Sequence, residues 1–204
     1  MKKKTYSHLL LTLIFIAICL TAKQNNNIFD INQLFHNQPA IDLFSPEDNI
    51  QQVLIDLIDK EKKCIKIAMY YLIDPKIIQA LTTAIETRNV AVDVIVDPTC
   101  PEKGLESLYP IAHIYVYDIK NGIMHHKFIL FTGLKVLGEG SYNFTYSAQH
   151  RNRENFSFYH AAKKNTFCFQ KYKNFSKRFD NLLKNSLEYE PGRMMLQKEE
   201  SILA

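Results

Sequence analysis

A group of polar residues between positions 125 and 154 has the composition of a site for phosphate chemistry. His125 and Lys127 are two residues apart, and Ser141, Asn143 and Glu154 follow in the same stretch. Residues two apart on a strand point to the same face, and a strand returning from a turn can bring Ser141 and Asn143 beside them. An imidazole, a cation and two neutral donors suit a phosphodiester, whose transition state spreads negative charge over its non-bridging oxygens. Glu154 could orient the imidazole by accepting its second N–H.

Several further candidates for binding substrate lie next to these residues. They are Gly140, Arg151 and Arg153, which together with Ser141 form the predicted substrate-binding set. From His150 to Arg178 the sequence has eight Lys or Arg and one acid, Glu154. A charge run is usually a solvated surface, but a basic flank beside a phosphate site is typical of proteins that bind a polyanion.

The pattern resembles the signature of the phospholipase D superfamily, H-x-K-x4-D followed by G-S or G-x-N. It is most similar to the short, single-motif branch that contains bacterial Nuc-type endonucleases and the mitochondrial cardiolipin hydrolase group. The resemblance extends over residues 44–162. Thr132 stands where the motif has its aspartate, whose expected role is to support the turn after the motif strand.

The resemblance implies a two-step displacement that needs neither a cofactor nor a metal ion. One histidine attacks phosphorus to give a phosphohistidine, and a second protonates the leaving oxygen and then activates water. Because the chain has one H-x-K pair, the resemblance implies a symmetric homodimer in which both copies of His125 share a cleft. Lys127 and Asn143 from each subunit would balance the charge, and Glu154 would hold the histidine.

The other histidines and a pair of tyrosines are interpreted mainly as structural. His125 and His126 are adjacent, so on a strand only one of them can share a face with the lysine, and the spacing selects His125. His160 is a minor candidate for lining the cleft. Tyr70 and Tyr71 end a strand that points at the expected site; core packing is the first interpretation and substrate contact the second.

Residues 1–22 have the pattern of a secretory signal peptide. Three lysines precede an apolar stretch, Leu9–Cys19, and Ala22 follows. The stretch is shorter than the ~20 residues that span a bilayer. We therefore expect a secreted or periplasmic protein, with an uncleaved membrane anchor as the alternative. Removing this segment takes away three lysines and no acid, so the net charge falls from +4 to +1 and says little about partners.

The rest of the chain predicts one α/β domain over residues 40–186, between polar tails at 23–39 and 187–204. Apolar periodicity predicts strands at 40–44, 64–72, 91–96, 111–117, 124–131, from 135 and at 155–161. It predicts helices at 46–62, 75–88, 143–149 and 164–185, the first capped by Ser45 and the second by Asp74. This order indicates a mixed β-sheet with helices on both faces.

Cysteine usage predicts neither a zinc site nor a disulfide framework. Without the leader the chain keeps Cys64, Cys100 and Cys168, an odd number with no C-x-x-C spacing. At most one pair could form.

Three functions remain open from the sequence. The leading hypothesis is a nuclease that cuts DNA or RNA with little sequence preference, favoured by the basic flank and the small size. The alternative with the same chemistry is a phospholipase D that hydrolyses phosphatidylcholine or cardiolipin at a membrane. The third is an inactive module that binds nucleic acid or lipid, suggested by Thr132.

Overall fold

The computed structural model describes residues 30–36, 38–118 and 122–192. The chain divides into two compact units, residues 1–36 and 37–204. In the first unit, helix α1 (Ile31–Phe35) begins after Asp30, whose side chain accepts a hydrogen bond from the amide of Asn32. The predicted signal peptide, residues 23–29 of the N-terminal tail and residues 193–204 of the C-terminal tail lie outside the described residues.

The second unit is built on one mixed sheet of eight strands in the order β1-β7-β6-β5-β2-β3-β4-β8. The strands are β1 (Ala40–Ser45), β2 (Cys64–Met69), β3 (Ala91–Val96), β4 (His113–Tyr117), β5 (Lys127–Phe131), β6 (Val136–Gly140), β7 (Glu154–His160) and β8 (Ser186–Glu188). The helices are α2 (Ile50–Lys60), α3 (Pro75–Arg88), α4 (Tyr146–His150) and α5 (Phe167–Leu183). β2, β3 and β4 run parallel, and the other neighbours are antiparallel.

Helices cover both faces of this sheet, which confirms the predicted α/β architecture. On one face, Phe179 and Leu182 of α5 belong to the same apolar cluster as Phe128 and Leu130 of β5. On the other face, alternate residues of the central strands such as Ile67 are fully buried. There α3 packs against α2 and β3. A sheet buried on both faces is rigid enough to hold side chains at its edge in fixed positions.

One edge of the sheet, which we call the site edge, collects the chain ends that carry the polar cluster. The parallel strands β2 and β3 end there, and Met69 of β2 pairs with Lys127 at the start of the antiparallel strand β5. β6 ends and β7 begins at the same edge, where Gly140 pairs with Phe156. Strand polarity therefore brings together residues that are far apart in the sequence.

The first helix of the sheet unit begins later than predicted, and Ser45 does not cap it. α2 begins after Asn49, whose side chain accepts from the amide of Gln52 at 3.0 Å. Ser45 instead ends β1 and is buried, and its hydroxyl donates to the carbonyl oxygen of Ala148 at 2.6 Å. A buried hydroxyl needs a partner, and α4 supplies one.

The strand that carries the motif also begins later than predicted. β5 starts at Lys127, so His125 lies in the irregular segment before it. Strand periodicity alone therefore does not place His125 relative to Lys127. Smaller differences are a β2 that ends at Met69 and a short strand β8 that the sequence did not predict.

None of the helices in the described ranges combines the length and apolarity needed to cross a bilayer.

Candidate active site

Tyr70, immediately after β2, brings the motif histidine and lysine together. Its ring meets the imidazole of His125 edge-on, with ring centroids 4.8 Å apart. The ammonium nitrogen of Lys127 lies 5.1 Å from the centroid of the same ring and donates to the carbonyl oxygen of His125 at 2.9 Å. The two residues thus converge on the same ring. His125 is exposed, whereas Lys127 is only 7% exposed.

Lys127 is a cation held in a largely enclosed position. Burial lowers the pKa of its ammonium below the usual 10.5, because the charged form loses hydration. The carboxylates of Glu154 and Asp97 act in the opposite direction and favour the charged form. A desolvated cation beside an exposed imidazole can interact strongly with a phosphate anion that excludes water from the site.

Asn143 is tied to the same place through Tyr71. The ring of Tyr71 stacks on that of Tyr70 with centroids 4.2 Å apart. The amide nitrogen of Tyr71 donates to Oδ1 of Asn143 at 3.3 Å. This bond occupies the side-chain oxygen, and the NH2 group of Asn143 is a donor that a phosphate oxygen could accept from. Tyr70 and Tyr71 are therefore structural elements of the site and not only core residues.

Ser141 and Glu154 form a hydrogen-bonded pair at the ends of β6 and β7. The hydroxyl of Ser141 donates to Oε2 of Glu154 at 2.5 Å and accepts from the amide of Asn155 at 3.1 Å. Oε1 of Glu154 accepts from the side chain of Asn152 at 2.8 Å. Because its hydroxyl donates to the carboxylate, Ser141 positions Glu154. A contact between Ser141 and phosphate stays a prediction.

The predicted contact between Glu154 and the imidazole of His125 is not among the hydrogen bonds of the described residues. Both oxygens of Glu154 have other donors, Ser141 and Asn152. The negative charge of Glu154 nevertheless favours the protonated form of Lys127, so the carboxylate and the lysine are coupled electrostatically.

Gly140 has a packing role next to this pair. A Cβ atom at this position would lie 2.2 Å from the carbonyl oxygen of Asn155 and 2.9 Å from the Cα of Phe156. β6 and β7 can therefore approach closely enough for the Ser141–Glu154 bond only because residue 140 has no side chain. The expectation that Gly140 touches substrate has no support in this packing.

The predicted basic flank does not form one surface in the described structure. Arg151 and Arg153 are exposed in the loop at the site edge, and Arg153 lies 4.0 Å from Glu47. β7 then carries the chain to the opposite edge, where Lys163 and Lys164 follow it. Only α5 returns, bringing Arg178 to within 3.0 Å of the ring of His126.

His126 and His160 do not belong to the convergent group. Nε2 of His126 accepts from Nε of Arg178, and burial together with that guanidinium lowers the pKa of His126. The imidazole is thus held neutral. His160 ends β7, six residues beyond Glu154 and roughly 20 Å along the strand, so it does not line the cleft.

Asp97 is a functional candidate that the sequence reasoning missed. It follows β3 at the site edge and is 1% exposed. Its carboxylate accepts from the amide of Met124 at 2.7 Å and from the amide and hydroxyl of Thr99 at 2.9 and 2.5 Å. The bond to Met124 anchors the segment that carries His125. An acid directly after a buried strand, at the edge where the motif was expected, was the available signal.

Within residues 30–36, 38–118 and 122–192, no group of three or more His, Cys, Asp or Glu side chains is arranged to hold a metal ion.

An α/β sheet edge that combines an H-x-K pair with an asparagine and a glutamate defines a phospholipase D-like domain. The family model described as "Cardiolipin synthase, PLD-like domain" matches residues 54–183, more than half of the chain. The chain therefore belongs to the phospholipase D superfamily.

The chain is similar to proteins named "Phospholipase D" from Rickettsia. It is 30% identical over 132 residues to the protein of Rickettsia prowazekii (strain Madrid E), a match that covers 63% of each chain. It is 28% identical over 142 residues to the protein of Rickettsia conorii (strain ATCC VR-613 / Malish 7), covering 68% of this chain and 69% of the relative. The chain thus spans less than two thirds of the length of the R. prowazekii relative.

Two solved structures share the fold. Nuc from Salmonella typhimurium, described as a phospholipase D family member, has a TM-score of 0.61 at 23% identity and covers 74% of this chain and 97% of its own. NucT from Helicobacter pylori has a TM-score of 0.63 at 18% identity and covers 74% and 98%. At these identities the likeness concerns the fold.

Proposed function

We propose that this protein is a phosphodiesterase that hydrolyses nucleic acid, DNA or RNA, through a phosphohistidine at His125. The observation that carries the proposal is the convergence of an exposed imidazole, an enclosed ammonium and an asparagine amide at one sheet edge. These groups suit a phosphodiester because each can interact with the negative oxygens while the imidazole remains accessible to phosphorus. Arg151 and Arg153 at the same edge add the positive charge that a polyanion needs.

The reaction proceeds in two steps. A ring nitrogen of one His125 forms a bond to phosphorus as the bond to the leaving oxygen breaks, and a second imidazolium gives its proton to that oxygen. Water then attacks phosphorus and passes a proton to the second, now neutral imidazole as the phosphorus–nitrogen bond breaks. Lys127 and Asn143 stabilise the charge on the non-bridging oxygens in both steps.

The second imidazole comes from another copy of the chain in a symmetric dimer. Support comes from His126, since its bond to Arg178 removes it from the reaction centre. Support also comes from two large apolar side chains exposed at the site edge, Ile73 and Ile123, which are 36% and 55% exposed. A two-fold interface over this edge would bury them and bring two copies of His125 face to face.

Phospholipid hydrolysis is the second candidate, and the relatives favour it. The Rickettsia proteins are named phospholipase D, and the description of the family model names cardiolipin synthase. The same imidazole, ammonium and amide would act on a lipid phosphodiester. With the predicted leader, either substrate would be met outside the cytoplasm or at a membrane surface.

One comparison tests the proposal. Purified protein with EDTA is incubated in parallel with plasmid DNA, RNA, and vesicles of phosphatidylcholine or cardiolipin, and His125→Ala is run as the control. We expect nucleic acid to be cleaved and the cleavage to be lost in the variant. Lipid hydrolysis without nucleic-acid cleavage would establish the second candidate. If no phosphodiester is hydrolysed, the hypothesis of an inactive binding module is favoured.

A further inference from the structure

An exposed aromatic and cationic cluster lies beside the candidate active site, and we name Tyr146, His150 and Arg151 the α4 cluster. Tyr146 begins α4 and is 56% exposed. The ring of His150, one helical turn later, lies 4.3 Å from the ring of Tyr146, centroid to centroid. The guanidinium of Arg151 lies 5.6 Å from the same ring. A single exposed aromatic side chain is ordinary on a protein surface, but its grouping with an imidazole and a guanidinium beside the candidate site points to a ligand.

The α4 cluster is attached directly to the residues of the site. Tyr146 is three residues after Asn143, so their Cα atoms are at most roughly 11 Å apart. Arg151 is three residues before Glu154, and Asn152 between them donates to that carboxylate at 2.8 Å. The helix itself is fixed by Thr145, whose hydroxyl accepts from the amide of Ala148 at 3.1 Å. The cluster is therefore held close to Asn143 and Glu154.

The charge of the cluster favours a polyanion with planar groups. Arg151 forms no ion pair with a carboxylate among the described residues. The neighbouring Arg153 has only a 4.0 Å contact with Glu47, and the side chains of Arg153 and Glu47 are both exposed. An aromatic ring next to an arginine is the combination that binds single-stranded nucleic acid, in which bases stack on the ring and the cation contacts the backbone. Stacking requires an unpaired base, because a base inside a duplex has no free face.

Building on the proposed nuclease function, we propose that the α4 cluster binds an unpaired nucleotide next to the scissile phosphate, so that the enzyme prefers single-stranded nucleic acid. Tyr146 supplies the stacking face, with His150 holding its ring, and Arg151 contacts a flanking phosphate. The active-site groups would still act on any accessible phosphodiester, and the cluster determines which nucleic acid is held long enough to react.

The test compares kcat/KM for a short single-stranded oligonucleotide with kcat/KM for the same sequence as a duplex. In Tyr146→Ala we expect the ratio of single-strand to duplex activity to fall about tenfold, within the range that base stacking provides. Tyr146→Phe keeps a stacking ring and should keep the wild-type ratio. Tyr109→Ala removes another exposed tyrosine, outside the site edge and 42% exposed, and serves as the matched control.

A second readout concerns Arg151. We expect Arg151→Ala to reduce the slope of log kcat/KM against log salt for the single strand by about 0.7, the value for one lost phosphate contact. Arg151→Lys should restore most of the slope.

The outcomes separate the two proposals. If wild-type protein cleaves nucleic acid but Tyr146→Ala leaves the single-strand to duplex ratio unchanged, the α4 cluster has no such role and the nuclease proposal stands. If wild-type protein cleaves phosphatidylcholine vesicles or bis(p-nitrophenyl) phosphate but no nucleic acid, the nuclease proposal itself fails. A loss of vesicle hydrolysis alone in Tyr146→Ala would assign the cluster to a membrane surface and overturn the inference.

Discussion

Tyr70 organises the candidate site at the scale of single residues. Its ring contacts both the imidazole of His125 and the ammonium of Lys127, and it stacks on Tyr71, which in turn binds Asn143. A tyrosine ring offers one partially positive edge and two partially negative faces, so it can meet a histidine and a cation at once. The polar groups are thus placed by an aromatic pair that itself contributes no charge.

Substitution of the two adjacent histidines should give opposite results. We expect His125→Ala to lower turnover at least about a thousandfold, because no other group can form the bond to phosphorus. We expect His126→Asn to retain turnover within about tenfold, since His126 bonds to Arg178 of α5. Steady-state rates with the oligomeric state monitored provide the check. Near-normal turnover in His125→Ala would exclude it as the nucleophile.

The pKa of Lys127 predicts the alkaline limit of activity. Burial lowers this pKa below 10.5, and the protonated form is the one that stabilises the phosphate oxygens. Activity should therefore be present at neutral pH and decline with rising pH through a pKa below that of an ordinary lysine. A profile of kcat/KM against pH for wild type and Lys127→Arg measures this, since the arginine variant should lose the alkaline limb. An unchanged limb in that variant would show that another group titrates.

At the scale of elements, the loop after β3 positions the segment before β5. Asp97 is almost fully buried and accepts from Met124 and Thr99. It therefore fixes the residue directly before His125, whose carbonyl oxygen accepts from Lys127. The same carboxylate favours the charged form of Lys127. Asp97 is accordingly a positioning residue that acts through geometry and charge.

Asp97→Asn should separate these two contributions. The amide oxygen can still accept from Met124, so we expect thermal stability and KM to change little, while the alkaline limb of the pH profile moves to lower pH because the negative charge is gone. Asp97→Ala removes the acceptor as well and should also lower kcat. A wild-type pH profile in Asp97→Asn would mean that the residue has only a structural role.

The turn between β5 and β6 depends on an acid from another element. Glu61, at the end of α2, is fully buried, and its carboxylate accepts from the amides of Lys62, Lys63, Gly133 and Leu134 at 2.7–3.2 Å. A Cβ atom at Gly133 would lie 2.3 Å from Oε1 of Glu61, so a side chain there would displace the carboxylate. This buried carboxylate supports the turn in which Thr132 replaces the motif aspartate.

Removing that carboxylate should destabilise the fold. We expect Glu61→Ala to lower the free energy of unfolding by about 3 kcal/mol, because several buried amide donors lose their acceptor. Urea unfolding followed by circular dichroism gives the value, and Glu106→Ala, at an exposed acid, is the control within about 0.5 kcal/mol of wild type. Equal stability of Glu61→Ala and Glu106→Ala would contradict this account of the turn.

The sequence predicted the elements whose boundaries are set by local chemistry. α3 begins and ends as expected, because Asp74 caps the amides of Lys76 and Ile77 and Asn89 adopts a left-handed conformation at the end. The parallel pairing of β2 with β3 also follows from the helix between them. These features depend on neighbouring residues, which a sequence displays directly.

Features that depend on contacts between distant residues were not predictable. Its sequence neighbours predict that Ser45 caps a helix, but its hydroxyl donates to the carbonyl oxygen of Ala148. The bond from Ser141 to Glu154 joins residues 13 positions apart and was likewise not expected. The residues of the motif were found by their types and spacing, whereas the role of Asp97 depends on a hydrogen bond across 27 positions.

At the scale of the whole molecule, the described structure supplies one complete set of site groups per chain at an exposed sheet edge. Hydrolysis through a phosphohistidine needs a second imidazole, and a two-fold axis at this edge would provide it. Charge balance by two lysines and two asparagines then needs no metal ion. We therefore expect turnover in EDTA to stay within about twofold of turnover without it. Loss of activity in EDTA that added Mg²⁺ restores would contradict this mechanism.

Isolation of the covalent intermediate tests the central claim most directly. Protein in excess over ³²P-labelled oligonucleotide is quenched with alkali, under which a phosphohistidine persists, and the labelled peptide is identified by mass spectrometry. We predict label on His125 and none in His125→Ala. Full turnover of wild-type protein with no trapped label, or with label on another residue, would contradict it.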